Sequence, residues 1–351
     1  MRLRHTRPTD PGFTRRRHGR GFRYLDTEGR PLRDPAHLER IKGLVIPPAW
    51  RDVWICPLPN GHLQAVGTDA AGRRQYLYHP RFRAEQERAK HEHVLEVAEV
   101  LPRLRERTAV ELTGRGLRRE RVLATGASLL DLGFFRIGGD RYANENGSYG
   151  LTTLLREHVG IRRGVVTFNY PAKHGQWQEQ AVAAPEILRS VIALKRRRSG
   201  GDRLFAYWDR PAWRNVSGEE VNAYLREAGG GVELTAKDFR TWHATVLAAV
   251  ALAVSQPAAR TETARRRAIG RAVREVAAHL GNTPAVCRAS YINPAVIELY
   301  EEGVTVAGAL EDLGRGVGEG LPATRGPIER AVLEMLRTSR PPGPARTRPP
   351  G

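Results

Sequence analysis

The pattern of apolar residues changes at Pro80, and this change limits the folds open to the 351-residue chain. Between Gly21 and Arg83, short apolar or alternating runs such as FRYLD, WICPL and LQAVGTD are separated by Pro, Gly and Asn-Gly. Such runs are typical of antiparallel strands joined by tight turns, and PNGH at 59–62 predicts a hairpin turn. Beyond Pro80, apolar residues recur at helical spacing. The sequence therefore predicts a β-rich segment followed by a mainly helical one.

The helical part contains a series of predicted helices with recognisable starts. Ser217 and Glu220 form a capping box, and Pro284 and Pro294 occupy first-turn positions. The predicted helices cover 81–107, 119–132, 143–158, 179–198, 217–228, 237–254, 258–280, 294–302, 305–313 and 322–338. A β-like run with a turn interrupts them at 161–177. We expect an α+β fold, in which a small N-terminal antiparallel β-sheet domain precedes a larger, mainly α-helical domain with a short β-hairpin region.

The length of the chain suggests two domains, and composition sets their boundaries. We predict a flexible basic arm over 1–20, a β-rich domain over 21–83, a mainly helical domain over 84–338 and a disordered tail over 339–351. The tail, SRPPGPARTRPPG, has no face that packs.

Positive charge is in large excess. Lys and Arg number 57 against 38 Asp and Glu, a formal net charge of +19. Such an excess concentrates polyanions, with nucleic acid the first candidate and a membrane surface the second. No apolar run reaches the roughly 18 residues of a spanning helix, and the basic N-terminus lacks the apolar stretch of a secretory signal. Two cysteines, Cys56 and Cys287, are too few for a disulfide framework. We expect a cytoplasmic protein that binds a polyanion, with nucleic acid preferred to a membrane surface.

Lysine is scarce, since arginine carries nearly all of the positive charge. The chain has five lysines: Lys42, Lys90, Lys173, Lys195 and Lys237. A retained lysine can mark a position that needs a compact ammonium or one whose pKa can be tuned for proton transfer.

Three basic candidates have ordinary structural explanations when each is taken alone. Arg136, in FFRIGGDRYA, could pair with Asp140. Lys173, in YPAKHGQ, falls at a predicted turn tip, where most lysines are merely solvated. Arg240, in KDFRTWHATVLAAVAL, could stack on its aromatic neighbours.

Two further candidates complete a set with a common chemistry. Asn282, in LGNTP, could be a helix cap, and Tyr291, in CRASYINP, an ordinary half-buried tyrosine. Attack on a phosphodiester requires an oxygen nucleophile, cations on the non-bridging oxygens and an acid for the leaving oxygen. Arginine grips two phosphate oxygens without losing its proton, and lysine can donate one. No carboxylate cluster resembles a two-metal nuclease site, so metal-free transesterification through a tyrosyl phosphate fits better.

The motifs resemble those of the type IB DNA topoisomerases, specifically the small poxvirus-like bacterial branch. The similar segments occur in the family's order over about 21–305: GFRYLDTEGRPLRD, RIKGLVIPPAW, GRRQYLYHPRF, FFRIGGDRYANENGSYGLTTL, YPAKHGQ, KDFRTWHATVLAA and LGNTPAVCRASYINPAVIELY. The resemblance implies a catalytic fold shared with tyrosine recombinases. It also implies a monomer that clamps double-stranded DNA and needs neither ATP nor an obligatory metal.

The resemblance implies a role for each candidate. Tyr291 would be the nucleophile that forms a 3′-phosphotyrosyl link, and Arg136 and Arg240 would bind the scissile phosphate. Lys173 would be the general acid toward the 5′-hydroxyl, with Arg136 helping to relay the proton. Asn282 stands where poxviral and eukaryotic members carry histidine, and its amide can still donate a hydrogen bond to a phosphate oxygen.

The resemblance also implies DNA contacts outside the catalytic set. Gln75, Tyr76 and Tyr78 would reach the major groove, although alternating tyrosines on a strand could equally pack in a core. Arg141 and Tyr142 would enter the groove from a helix N-terminus.

Two other functions stay open from the residues alone. Tyrosine site-specific recombinases share the chemistry but usually show His-x-x-Arg, whereas this chain has Lys237-Asp-Phe-Arg240, and we expect Lys237 among the DNA-binding residues. A basic nucleic-acid-binding protein without catalysis would also explain the charge. His243, one turn beyond Arg240, is more simply a structural residue.

Overall fold

The computed structural model describes residues 2–133 and 135–338, and the chain forms two compact units, Met1–Lys90 and His91–Gly351. The first unit contains an antiparallel sheet and the second is mainly helical, so the predicted α+β class is confirmed. The unit boundary falls seven residues after the predicted position at 83. The predicted tail at 339–351 lies outside the described residues.

The first unit is a five-stranded antiparallel sheet in the order β2-β1-β3-β4-β5 with one helix. Its elements are β1 (Phe13–His18), β2 (Gly21–Leu25), α1 (Pro35–Gly43), β3 (Arg51–Ile55), β4 (Leu63–Thr68) and β5 (Arg74–Tyr78). The predicted turn at 59–62 lies in the connection between β3 and β4. A small core of Phe13, Ile41, Ile46, Val53, Ile55 and Ala65 holds the helix on the sheet.

Part of the predicted arm over 1–20 is corrected by the structure, because its described residues include β1. Thr14 pairs with Leu25 of β2 on one side and with Trp54 of β3 on the other. The run FTRRRH hides its strand character, since only Phe13 is apolar. Arg15 is tied down by donating hydrogen bonds to carbonyl oxygens of 46, 47 and 50. Arg15 therefore has a structural role in this unit.

The remaining elements are mostly helices. They are α2 (Pro80–Leu112), α3 (Arg119–Leu130), α4 (Asp140–Asn146), β6 (Val159–Arg162), β7 (Val165–Pro171), β8 (Trp177–Val182), α5 (Pro185–Arg196), β9 (Ala206–Asp209), β10 (Ala212–Asn215), α6 (Gly218–Ala228), α7 (Ala236–Ser255), α8 (Glu262–Leu280), α9 (Pro284–Ser290), α10 (Pro294–Glu301) and α11 (Pro327–Thr338). Short 3₁₀ turns cover Leu151–Thr153, Arg156–His158, Lys173–Gly175, Gln256–Ala258 and Ala307–Asp312. Strands β6, β7 and β8 form one antiparallel sheet, and β9 pairs with β10. None of the described helices is both long and apolar enough to span a bilayer.

Helix α7 lies at the centre of the second unit. It is buried on most of its circumference and packs on α3, α8, α10 and α11. A helix that is apolar nearly all round is stable only inside a protein. Its start is fixed by Asp238, whose carboxylate accepts from the backbone N–H and the hydroxyl of Thr235.

Two predicted helices are wrong in their bounds for identifiable reasons. The prediction over 143–158 fails because α4 ends at Asn146, where Gly147 adopts a left-handed φ of 57°. The prediction over 179–198 joins the end of strand β8 to helix α5, which begins only at Pro185. The helix predicted over 305–313 is instead the 3₁₀ turn Ala307–Asp312. The starts at Pro284 and Pro294 and the Ser217 capping box are confirmed.

A group of four largely buried charges joins distant parts of the second unit. Arg105 of α2 donates to both oxygens of Asp131, at 2.8 and 3.0 Å, and to both oxygens of Glu329, at 2.6 and 2.9 Å. Arg325 donates to Asp131 at 2.7 Å. Burial alone would raise the pKa of Asp131, but Arg105 and Arg325 hold it well below its usual range. Two carboxylates thus balance two guanidiniums in the interior.

The same group fastens helix α7. Trp242 donates its indole N–H to Glu329 at 3.1 Å, and His243 Nε2 lies 2.8 Å from the carbonyl oxygen of Asp131. His243 packs so closely on Gly133 that a Cβ there would lie 2.8 Å from the ring, and Gly133 has a φ of +85°. Glycine is therefore required at 133. His243 has the structural role that we expected.

We predict that Asp131→Ala lowers the free energy of unfolding by about 3–5 kcal/mol, because it leaves two largely buried guanidiniums without the carboxylate that they share. Thermal or urea unfolding followed by circular dichroism measures the change. Glu262→Ala, which breaks an exposed pair with Arg266, is the control and should have little effect.

The pH dependence provides a second check on the same group. The folded pKa of Asp131 lies below its unfolded value of about 3.9, so its stabilisation is complete above that pH and is lost as the pH falls below it. Asp131→Ala should therefore flatten the loss of stability on acidification. An unchanged acid limb would contradict this assignment.

Candidate active site

The segment that carries Arg136 is held by close backbone contact with residues 150–152. Leu151 N–H donates to the carbonyl of Arg136 at 2.8 Å, and Thr152 N–H donates to that of Ile137 at 2.9 Å. A Cβ on Gly150 would lie 2.5 Å from the backbone nitrogen of Gly138. The two backbones can approach this closely only because both positions are glycine. Asp140 pairs with Arg203 at 2.6 Å, so the surface pair with Arg136 that we considered does not form.

The C-terminal end of α8 brings the two candidate arginines together. Arg240, on the second turn of α7 and 3% exposed, donates through Nη2 to the carbonyl of Leu280 at 2.7 Å. Arg136 Nη2 donates to Asn282 Oδ1 at 2.7 Å and to the carbonyl of Gly281 at 3.3 Å. The last carbonyls of a helix lack intrahelical partners and carry partial negative charge, so they suit guanidinium donors. Both acceptors of Arg136 are neutral, which leaves its charge available to an anion.

Asn282 contributes to this arrangement in a different way from the helix cap that we considered. Gly281 terminates α8 in a left-handed conformation and Thr283 caps α9, so Asn282 lies between the two caps. Its Oδ1 is occupied by Arg136, whereas its Nδ2 is buried and has no hydrogen-bond partner among the described residues. A buried amide donor without an acceptor is costly, and a phosphate oxygen would satisfy it.

Tyr291 lies at the break between α9 and α10 with its side chain against Arg240. It is 9% exposed, and the Arg240 guanidinium carbon is 5.4 Å from the centre of its ring. Burial raises the pKa of the Tyr291 phenol, but the positive charges of Arg240, Arg136 and Lys237 outweigh burial, and the net pKa is lowered. Burial and the nearby Arg136 also lower the pKa of Arg240. The site therefore favours negative charge on the phenol oxygen and on any ligand beside it.

Lys173 lies where the sequence predicted, at the tip of the β7–β8 hairpin. It is exposed at the start of the 3₁₀ turn Lys173–Gly175. It lines a small pocket together with Arg136, and the pocket is closed by Tyr149, Tyr170, Ala172, Gln176, Gln178, Leu280 and Gly281. Arg136 thus contacts Asn282, and Arg240 contacts Tyr291. Both arginines bind carbonyls at the end of α8, and Lys173 shares a pocket with Arg136.

The residues that support this pocket were not among those predicted from the sequence. Tyr170, at the end of β7, is buried, and burial raises its pKa to about 12. The amide of Gln178 covers Gly281, where a Cβ would lie 2.7 Å from its Nε2. Tyr170 opens the YPAKHGQ segment and Gln178 follows it, but nothing in that segment marks either as part of a pocket, because their places depend on strand register. Tyr170 pairs with Gln178 across β7 and β8.

The residues predicted to contact DNA are mostly exposed. In β5, Tyr76 is 46% and Tyr78 38% exposed, so the alternative of core aromatics is wrong, and their rings stack 6.1 Å apart. Gln75 donates to Asp69 at 2.9 Å. Their part in binding DNA stays a prediction.

The corresponding residues of the second unit occupy helix starts. Arg141 and Tyr142 form the first turn of α4, where Tyr142 is 56% exposed and Arg141 pairs with Glu145 at 3.0 Å. Lys237 is exposed at the start of α7. Within residues 2–133 and 135–338, no group of three His, Cys, Asp or Glu side chains is placed to hold a metal ion.

Comparison with known proteins accounts for both units. A family described as the catalytic core of eukaryotic DNA topoisomerase I matches residues 79–307. A family described as the N-terminal domain of bacterial DNA topoisomerase IB matches residues 21–69. A protein named DNA topoisomerase 1B, from Acanthamoeba polyphaga mimivirus, is 31% identical over 298 residues, which cover 83% of this chain and 88% of that relative.

The fold and these matches define the class of protein: it is a DNA topoisomerase, an enzyme that acts on DNA. The chain belongs to the type IB DNA topoisomerase family, as its motifs suggested. The match to the bacterial N-terminal domain agrees with the expected bacterial branch. The topoisomerase interpretation is therefore preferred to a recombinase or a non-catalytic binding protein.

We predict that Arg240→Gln raises the pKa of the Tyr291 phenol, because the strongest charge that opposes burial is removed. The measurement is an NMR pH titration of protein labelled at tyrosine Cζ, with Tyr291→Phe to assign the resonance. Arg141→Gln, on an exposed helix start, is the control and should leave the pKa unchanged. An equal titration curve for wild type and Arg240→Gln would contradict the proposed electrostatics.

Proposed function

We propose that the protein relaxes supercoiled duplex DNA by cutting one strand through Tyr291 and resealing it. The observation that carries this proposal is the meeting of Arg136, Arg240, Asn282 and Tyr291 at the end of α8. In the proposed step, the Tyr291 phenol loses its proton to water, its oxygen attacks the scissile phosphorus, and the bond to the 5′ oxygen breaks. The product is a 3′-phosphotyrosyl link and a free 5′-hydroxyl end.

The charges of the site support stabilisation of the pentacoordinate transition state. Guanidiniums from Arg136 and Arg240 would bind the non-bridging oxygens, whose negative charge increases during attack. The buried Nδ2 of Asn282 would donate to one of the same oxygens. Because the site is preorganised by helix-end carbonyls, it needs little rearrangement when phosphate arrives.

Lys173 is the proposed general acid. Its place at the hairpin tip, in a pocket with Arg136, suits donation of a proton to the leaving 5′ oxygen. In the reverse step the 5′-hydroxyl returns that proton and attacks the phosphotyrosine, which releases Tyr291. Phosphate bond energy is conserved in the tyrosyl ester, so the proposed cycle requires neither ATP nor an obligatory metal.

Between the two steps, the free 5′ end would rotate about the intact strand and release torsional stress of either sign. We propose that a monomer performs the cycle on duplex DNA without a defined site. The proposed additional contacts with DNA come from both units. They are Arg141, Tyr142 and Lys237 in the helical unit and Gln75, Tyr76 and Tyr78 in the sheet unit. Affinity that depends on phosphate contacts should fall steeply with salt.

We expect purified wild-type protein to relax supercoiled plasmid in the presence of EDTA and without ATP. Tyr291→Phe should bind the plasmid and leave it supercoiled, because it lacks the attacking oxygen. Gel electrophoresis measures relaxation, and denaturing electrophoresis detects the covalent adduct. Relaxation that persists in Tyr291→Phe would remove the nucleophile assignment, and no relaxation by wild type would overturn the function.

For Lys173, we expect Lys173→Ala to slow single-turnover cleavage by about 100-fold or more, as is typical for loss of a general acid. A substrate with a 5′-bridging sulfur should restore the rate, because a thiolate leaves without protonation. Lys42→Ala, an exposed lysine of α1, is the control. Failure of the sulfur substrate to rescue Lys173→Ala would exclude this lysine as the acid.

A further inference from the structure

The segment that carries Tyr291 is hydrogen-bonded to the same helix that carries Arg240. Thr245 of α7 is 1% exposed, and its Oγ1 accepts from the backbone N–H of Asn293 at 3.1 Å. The same hydroxyl donates to the carbonyl of Thr241 at 2.8 Å and lies 3.4 Å from the carbonyl of Tyr291. One buried side chain therefore contacts backbone on both sides of Ile292.

We propose that Thr245 is a positioning residue that fixes the nucleophile Tyr291 relative to the phosphate-binding Arg240. The inference rests on the proposed function, since it assumes that Tyr291 attacks and Arg240 binds the phosphate. Arg240 and Thr245 lie five residues apart on one helix, about 7.5 Å along its axis. A bond from Thr245 to the Tyr291 segment therefore transmits the position of the rigid helix to the nucleophile.

The backbone around Tyr291 needs such a support because it is not helical. Tyr291 has φ −127° and ψ −44°, and its N–H and that of Ile292 both donate to the carbonyl of Cys287. Asn293 caps α10 with its side chain and precedes Pro294, so its own N–H lies outside the helical hydrogen-bond pattern. Asn293 is 5% exposed, and its N–H finds an acceptor in Thr245.

The chemistry of the hydroxyl explains why threonine is suited to this position. A hydroxyl can donate one hydrogen bond and accept others, whereas valine of the same shape can do neither. Valine at 245 would leave the buried N–H of Asn293 without its acceptor. The backbone at residues 291–293 would then shift and move the Tyr291 oxygen. Displacement of a reacting group by about 1 Å can reduce a rate by about 100-fold.

Thr245→Val, Thr245→Ser and Thr125→Val test the inference. Thr125 is the matched control, since it is also buried in a helix and donates to the carbonyl four residues before it, at 2.7 Å, but it lies on α3. Single-turnover cleavage of a short duplex gives the rate. Affinity is measured in a Tyr291→Phe background, where no cleavage interferes.

We expect Thr245→Val to cleave at least about 10-fold more slowly than wild type, with unchanged affinity, because the nucleophile is misplaced and DNA contacts are not. Thr245→Ser should restore the rate and Thr125→Val should not change it. Wild-type cleavage by Thr245→Val, an equally slow Thr245→Ser or an equally slow Thr125→Val would each overturn the inference.

Folding and the proposed function are checked separately. Circular dichroism reports whether each variant is folded. If Thr245→Val is not folded, Thr245→Cys replaces it. Because a thiol is a weak acceptor, Thr245→Cys should cleave more slowly than wild type, but with a smaller loss of rate than the about 10-fold or more expected for Thr245→Val. If wild type forms an adduct that Tyr291→Phe lacks, a normal rate for Thr245→Val overturns the positioning role alone. An adduct that persists in Tyr291→Phe overturns the proposed function and the positioning role together.

Discussion

The charge group around Asp131 is the interaction on which the second unit depends. Asp131 follows α3, Arg105 belongs to α2, and Glu329 belongs to α11, so three elements far apart in sequence meet at one carboxylate pair. Charges removed from water are tolerated only when their partners are complete, and here each carboxylate receives several donors. Because Glu329 also accepts from Trp242, the group determines where helix α7 lies.

The position of α7 in turn determines the site. Arg240 and Thr245 project from it, and the end of α8 packs beside it, so the arginine meets the carbonyl of Leu280. Arg136 reaches the same helix end from the segment that follows Asp131. Two like charges are thus held close together by neutral oxygens. In the proposed function, a bound phosphate would relieve their mutual repulsion, which would link the cost of assembling the site to its affinity for DNA.

The sequence predictions were accurate where a feature is set by residues close together in sequence, and inaccurate where it is set by distant ones. Helix starts at Pro284 and Pro294 were predicted correctly, because proline and a capping residue act within a few positions. The helix over 143–158 was predicted wrongly, because the prediction followed the apolar spacing and gave too little weight to the glycines at 147 and 150. Strand β1 was missed because its residues are mostly basic, and the carbonyls that hold one of them, Arg15, belong to a later segment.

The candidate residues show the same division. Each of the five was found from sequence, yet only as a set, since the motifs gave residue types and order. The partners of these residues were not found: the carbonyls of Leu280 and Gly281 have no side-chain signature, and Thr245 is one of two threonines in its helix. Their importance comes from position alone.

The sequence by itself determined the fold class, the family and the residue types available for phosphoryl transfer. It could do so because periodicity, turn residues and short motifs are local properties of the chain. Only the tertiary structure decided that Arg136, Arg240 and Asn282 meet at one helix end and that Tyr291 lies beneath a guanidinium. Those contacts join residues 40 to 146 positions apart, and they form only when packing around α7 brings the backbone segments together.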